Sequence, residues 1–212
     1  MTANPTPSDV WSSMLAGNRR FVAGEPQHPR QDAERRHELA HVQRPTAALF
    51  GCSDSRLAAE IIFDEGLGDL FVIRNAGQVI SDSVVGSLEY AVAVLGVPLI
   101  VVLGHDECGA VRAAIESTAP DAPALPAGIW RQVAPIVPAV RRVLQAAPGT
   151  TAATVDAEEV GREHLRDTIA GILHSSELIS EAVAEGRLAV VGANYRLADG
   201  TAVPDVVVGE AG

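Results

Sequence analysis

Cys52, Asp54 and Arg56 stand two residues apart in the stretch GCSDSR, residues 51–56, and His105 and Cys108 stand three apart in GHDECG, residues 104–109. The chain has only these two cysteines. Two thiolates and an imidazole are suitable ligands for zinc, and three protein ligands leave the fourth tetrahedral position open, which is the pattern of a catalytic site. Water held there becomes a nucleophile near neutral pH. Asp54 is placed to reach either the metal or its water, and Arg56 to hold the Asp54 carboxylate in a bidentate pair. Taken singly, each residue has a plainer reading. A lone buried cysteine serves as a small hydrophobe, and Asp54 and Arg56 alone read as a turn and a surface pair. The other histidines, His28, His37, His41, His164 and His174, lie in polar or helical surroundings and read as surface residues.

These side chains meet only if the chain folds to bring them together. Each cysteine segment follows an apolar run, Thr46–Gly51 in one case and Pro98–Gly104 in the other, and both runs read as buried strands. Leu70–Arg74 and Leu188–Tyr195 read likewise. Helical patterns lie between them: Leu57–Phe63, Ser83–Leu95 closed by Gly96, Cys108–Ser117, about Ile129–Ala146, and about Thr154–Glu185 with a break near Gly171. Residues 118–128 form a loop. The Asp199-Gly200 turn sends Thr201–Val208 back antiparallel at the sheet edge. The expected fold class is α/β, a central mostly parallel sheet with an antiparallel edge strand and flanking helices. In such a sheet, sites form beyond the carboxyl ends of the strands, where both cysteine segments sit. Cys108 also opens a helix, which favours its thiolate. Ser8–Val22 is an N-terminal helix with Ser8 as its cap, ended by Gly24 and Pro26, and the polar Gln31–Gln43 stretch is a helical arm with little core of its own. One domain is expected over 1–212, an arm over 1–45 and an α/β core over 46–212.

Lys+Arg of 16 against Asp+Glu of 27 gives a formal net charge of −11. That balance argues against nucleic acid or an anionic membrane as partner, since both need a basic face. The N-terminal stretch lacks a secretory pattern, and no apolar run is long enough to span a membrane. A cytoplasmic location is expected, where thiols stay reduced and a Cys52–Cys108 disulfide is disfavoured.

The two motifs together, Cys52-Ser53-Asp54-Ser55-Arg56 and His105-Asp106-Glu107-Cys108, resemble the β-class carbonic anhydrases. The intervening FDEGLGDLFVIRNAGQVI and SLEYAVAVLGVPLIVVLGH are similar too, and the resemblance covers roughly residues 9–208. It implies one zinc per chain on Cys52, His105 and Cys108, and reversible hydration of CO2 to bicarbonate and a proton by zinc-bound hydroxide. In the active form Asp54 pairs with Arg56 and orients the hydroxide; in the closed form Asp54 becomes the fourth ligand. The resemblance also implies substrate-binding roles for Gln43, Phe71, Ala76 and Tyr90. Gly109 follows Cys108 and offers a backbone N–H. Phe71 and Tyr90 read equally as core residues, and Gln43 as a solvated one. In the family the Gln and the aromatic lining often come from a neighbouring subunit, so a homodimer or tetramer is expected. One branch binds regulatory bicarbonate with a Trp three residues before the first Cys. Here that position is Leu49, although Arg74 of that site is present, and the open arrangement is expected at neutral pH. Two other readings stand beside this one. The first is a carbon disulfide or carbonyl sulfide hydrolase on the same scaffold. The second is a non-catalytic zinc-binding or redox-sensing protein, in which Asp54 and Arg56 would have no role.

Overall fold

The computed structural model describes residues 5–211; the first four residues of the N-terminal stretch lie outside it. Its first helix, α1 (Pro7–Ala23), begins at Thr6 and not at Ser8. The Thr6 hydroxyl accepts the Asp9 N–H at 3.1 Å, and the Asp9 carboxylate accepts the Thr6 N–H at 3.0 Å. Pro7 fits the first turn because its missing N–H would have had no helical partner, so the cap moves upstream of it. Gly24, at φ 73°, closes the helix. The arm is shorter than its polar run: α2 (Ala33–Glu38) and a single 3₁₀ turn over Leu39–His41, with no buried residue in either.

The alternating middle of the chain follows as β1 (Ala47–Cys52), α3 (Ala59–Ile62), β2 (Leu70–Asn75), α4 (Asp82–Ala93), β3 (Leu99–His105) and α5 (Gly109–Glu116). Three strands end one residue later than their apolar runs, which makes Cys52 and His105 the last residues of β1 and β3. Pro135 and Pro138 divide the next helical stretch into α6 (Ala127–Val133) and α7 (Val137–Ala146), joined by a 3₁₀ turn. The long stretch after it is α8 (Ala157–Ser175) and α9 (Glu177–Ala184). The break falls at Ser176 and not at Gly171. Gly171 lies within α8, and its missing side chain serves a close approach instead, since a Cβ there would come within 2.5 Å of Ile80 Cδ1. Ser176, at φ −133°, caps α9 by accepting the Ile179 N–H at 3.2 Å. The chain ends in β4 (Ala189–Tyr195) and β5 (Ala202–Val208).

The five strands run in the order β2-β1-β3-β4-β5, parallel except for β5. β1 and β3 are buried throughout. Successive side chains on a strand point to opposite faces. Ala47, Leu49, Leu99 and Val101 therefore enter one core with Trp11, Met14 and Phe63, while Ala48, Phe50, Ile100 and Val102 enter the other with Leu88 and Ile169. Asn18 on α1 is buried and fully used. Its amide donates to Ile62 O at 3.0 Å and Gly200 O at 2.8 Å, and its Oδ1 accepts the Ala202 N–H at 2.9 Å. One side chain thus ties the first helix to α3 and to the β4–β5 hairpin.

Behind α3, Arg30 donates to Asp69 at 2.6 Å and to Glu65 at 3.2 Å. Burial, and then the neighbouring Asp69 charge, push the Glu65 carboxyl up to about 7. The folded state therefore keeps a proton that the unfolded chain releases at about 4.5. Stability falls as pH rises through that window, and the cost remains above it. Glu65→Gln removes the slope. Urea unfolding at pH 5 and pH 8 should show the parent losing on the order of 2–3 kcal/mol more than the variant.

Candidate metal centre

The register of the sheet brings the ligands together. β1 pairs with β3, and Gly51 lies opposite Leu103. Cys52 at the end of β1 therefore neighbours His105 at the end of β3. Asp106 then fixes the turn: its N–H donates to Tyr195 O at 3.2 Å and its carboxylate accepts the Leu197 N–H at 3.0 Å. Glu107 takes φ 50°, and Cys108 arrives as the residue that caps α5. The ligand atoms of Cys52, His105 and Cys108 lie within 4.8 Å of one another, and all three residues are buried. Gly104 has no room for a side chain, because the Asn194 amide crosses it 2.7 Å from where a Cβ would stand.

This donor set fits zinc. Both ring nitrogens of His105 are buried and have no hydrogen-bond partner among the described residues, an arrangement that is costly unless a ligand takes one of them. The two sulfurs lie close enough that the ionisation of one is linked to that of the other. The Cys108 thiol donates to Cys52 and draws the Cys52 thiol down against its burial, with His105 and the Gly77 N–H adding to the effect. Cys108 is pushed up by the same contact and then by burial. A divalent cation with an affinity for sulfur would be held by Cys52, His105 and Cys108 and would favour the ionised form of both thiols.

Asp54 and Arg56 form a bidentate pair. Arg56 Nε donates to Oδ1 at 2.9 Å, Nη2 donates to Oδ2 at 2.6 Å, and the Arg56 N–H reaches Oδ1 at 3.0 Å. Arg56 thereby holds the Asp54 carboxyl well below the usual carboxylate range, with burial opposing. This is the arrangement the resemblance assigns to an active form.

Other residues build the site without having been read as part of it. Arg74, at the end of β2, donates to Cys52 O at 2.9 Å and Asp54 O at 2.6 Å, clamping both ends of the segment that carries the thiol and the carboxylate. Gly77 donates its N–H to Cys52 Sγ at 3.3 Å. His164 is a correction. It was expected on the surface with His28, His37, His41 and His174, but it is 3% exposed, with Nε2 2.7 Å from Gly77 O. The signal was present: Val160, His164, Thr168 and Ile172 lie four residues apart on α8, and all four are buried.

Ala76 and Gly109 are exposed residues that adjoin Gly77 and Cys108 in the chain. Gln43, Phe71 and Tyr90 lie elsewhere. Gln43 precedes β1 at the far end of the strand from Cys52, exposed in a groove with Val94, Leu95 and Pro98. Phe71 lies opposite Ala48, near the start of β1, and its ring packs against Tyr90 at a centroid distance of 6.1 Å. Tyr90 is 45% exposed. β2 is an edge strand; Phe71 on it is partly buried against the second core, and Tyr90 lies on α4. Leu49 is buried in the core.

Comparison with known proteins gives one answer. A sequence profile of the carbonic anhydrase family matches residues 47–202. Carbonic anhydrase 2 of Mycobacterium tuberculosis is 50% identical over 204 residues, covering 94% of this chain and 93% of the relative. The carbonic anhydrase of Mycolicibacterium smegmatis is 48% identical over 198 residues, covering 93% of this chain and 92% of the relative. A solved β-carbonic anhydrase of Aspergillus fumigatus superposes with a TM-score of 0.69 at 27% identity, over 96% of this chain and 92% of that one. The fold is also that of a tetrameric β-carbonic anhydrase from Sordaria macrospora, with a TM-score of 0.72 at 23% identity over 94% of this chain and 98% of that one. Half-identity along nearly the whole length, with both ligand motifs intact in a sheet of the same build, places the chain in the β-class carbonic anhydrase family.

Proposed function

We propose that this chain hydrates CO2 reversibly to bicarbonate and a proton, using one zinc ion held by Cys52, His105 and Cys108. The observation that carries the reading is the bidentate Asp54–Arg56 pair, two residues from a three-ligand cluster. A zinc ion held by these three residues would supply a water acidified toward neutrality as the nucleophile, a property known from carbonic anhydrases with three histidine ligands on another fold.

The chain's own groups do the rest. Asp54, kept ionised by Arg56, can only accept hydrogen bonds. It takes one from the attacking oxygen and so turns that oxygen's free lone pair toward the carbon. Arg74 fixes the backbone from which Asp54 projects. The Gly109 N–H, at the start of α5, is a donor for the CO2 oxygen that gains charge. Ala76 leaves space for an apolar triatomic substrate. The proton released passes to buffer.

Gln43, Phe71 and Tyr90 complete the pocket of a second copy of this chain. Their place on the β2 side, remote from the chain's own thiols, supports a homo-oligomer with sites at its interface. The paired free thiols suit a reducing cytoplasm.

Stopped-flow CO2 hydration with zinc analysis on the same sample tests the reading. One zinc per chain with activity at neutral and mildly alkaline pH is expected. Activity confined to alkaline pH means that Asp54 closes the site despite Leu49. Bound zinc without hydration at either pH overturns the assignment and brings forward carbon disulfide or carbonyl sulfide as substrate.

A further inference from the structure

We propose that His164 and Thr168 of α8 are positioning residues for the metal centre, clamping the Gly77–Gln78 segment so that the Gly77 N–H stays aimed at Cys52 Sγ. The inference rests on Cys52 being a metal ligand, as in the proposed function.

The segment does not hold this shape unaided. Gly77 lies at φ 79° and Gln78 at φ 40°, the second a left-handed conformation in a residue with a side chain. Gly77 cannot be replaced, since a Cβ would come within 2.8 Å of Ala110 Cβ. Asn75 closes the loop from inside, its amide donating to Val79 O at 2.7 Å and its oxygen accepting the Val79 N–H at 2.8 Å. The outside is held from α8. His164 Nε2 meets Gly77 O at 2.7 Å, and the Thr168 hydroxyl, which donates chiefly to His164 O at 2.9 Å, also lies 3.4 Å from Gln78 O. Gly77 is therefore fixed on both sides of its Cα, by the thiol of Cys52 on one and the imidazole of α8 on the other.

The chemistry of His164 argues for a task beyond packing. A carbonyl only accepts, so Nε2 must donate and Nδ1 carries the lone pair. Nδ1 is buried with no partner, a cost that an apolar side chain at this place in the stripe would avoid. Burial keeps the ring neutral, so it adds no charge beside the thiolates. What the ring supplies is one directed donor. An N–H bonded to a metal thiolate withdraws charge from sulfur and tunes the metal it binds.

His164→Leu removes the donor; His164→Gln places an amide N–H where Nε2 stood. Chelator competition should show zinc affinity about 10-fold lower in His164→Leu and largely restored in His164→Gln. In cobalt-substituted protein the sulfur-to-cobalt charge-transfer band should move to longer wavelength in His164→Leu, because the sulfur is more electron-rich. Parent-like affinity and an unmoved band in folded His164→Leu overturn the proposal. If that variant does not fold, Thr168→Val carries the test. It removes the hydroxyl that braces His164 O and lies near Gln78 O, and a smaller shift in the same direction is expected; an unmoved band there overturns the proposal equally. Neither readout uses CO2. A failure of the hydration assignment leaves them intact, and a failure here leaves hydration intact.

Discussion

Arg56→Ala is expected to keep one zinc per chain and to lose CO2 hydration by about 100-fold or more. Among the described residues Arg56 bonds to none of Cys52, His105 and Cys108; beyond Asp54 it reaches Glu107 O at a long 3.4 Å, and its side chain is 50% exposed, so the fold and the ligand cluster stand without it. What goes is two of the three hydrogen bonds that orient Asp54, those from Nε and Nη2. The carboxylate stays ionised at neutral pH but is free to turn. From its place two residues beyond Cys52, it is then drawn to the cation instead of the attacking oxygen. Orientation of a reacting group is worth several kcal/mol of barrier, and this pair is its source here. Metal analysis and stopped-flow hydration on one sample check both halves. Full hydration in the variant removes the Asp54–Arg56 pair from the mechanism. Zinc lost together with activity would show Arg56 to be structural.

Gly17→Ala is expected to have the largest effect on stability, about 4 kcal/mol or more, or to yield no folded protein. A Cβ at Gly17 would stand 1.8 Å from the carbonyl oxygen of Phe63 and 2.8 Å from its carbon. That carbonyl belongs to backbone that cannot retreat, because Phe63 is fully buried and Ile62 O is held by Asn18. α1 would have to lift off α3, the element that follows the Cys52–Arg56 segment, so zinc loading should fall with stability. Gly86→Ala on α4 is the control. Nothing lies within 4 Å of that Cβ, so a gain of about 0.5–1 kcal/mol is expected. Circular dichroism with urea titration of both variants separates the steric effect from a general intolerance of helix substitution.

The sheet was legible because its strands are continuous apolar runs, which only burial on both faces explains. The zinc ligands were legible because thiols and imidazole are rare and chemically unambiguous. Boundaries were less so. Ser8 reads as the cap, yet Pro7 costs nothing in the first turn, and the cap is Thr6. Gly171 reads as a break, yet it is a point of close approach to Ile80. His164 sits among Glu163, Arg166 and Asp167 and reads as solvated until α8 is laid against the Gly77 loop. Arg74 reads locally as the last residue of a strand, and the resemblance mentions it only for a regulatory bicarbonate site. Its clamp on Cys52 and Asp54 exists only once β2 lies beside β1. Gln43, Phe71 and Tyr90 are the hardest case, since the work proposed for them lies outside the chain that carries them.

The placement of Cys52 and His105 as the last residues of two wholly buried strands makes β1 and β3 rulers. Each residue along them is committed to one core or the other, so an insertion or deletion of one residue inside 47–52 or 99–105 would turn every later side chain to the wrong side. It would also carry the thiol or the imidazole off the metal. The intervening loops have no such constraint. Homologues and engineered variants should therefore show length changes in stretches such as 118–126 and 147–155, and almost none within these two strands. The metal centre in this sense measures strand length, and losing it is the first visible sign of a frame error in the sheet.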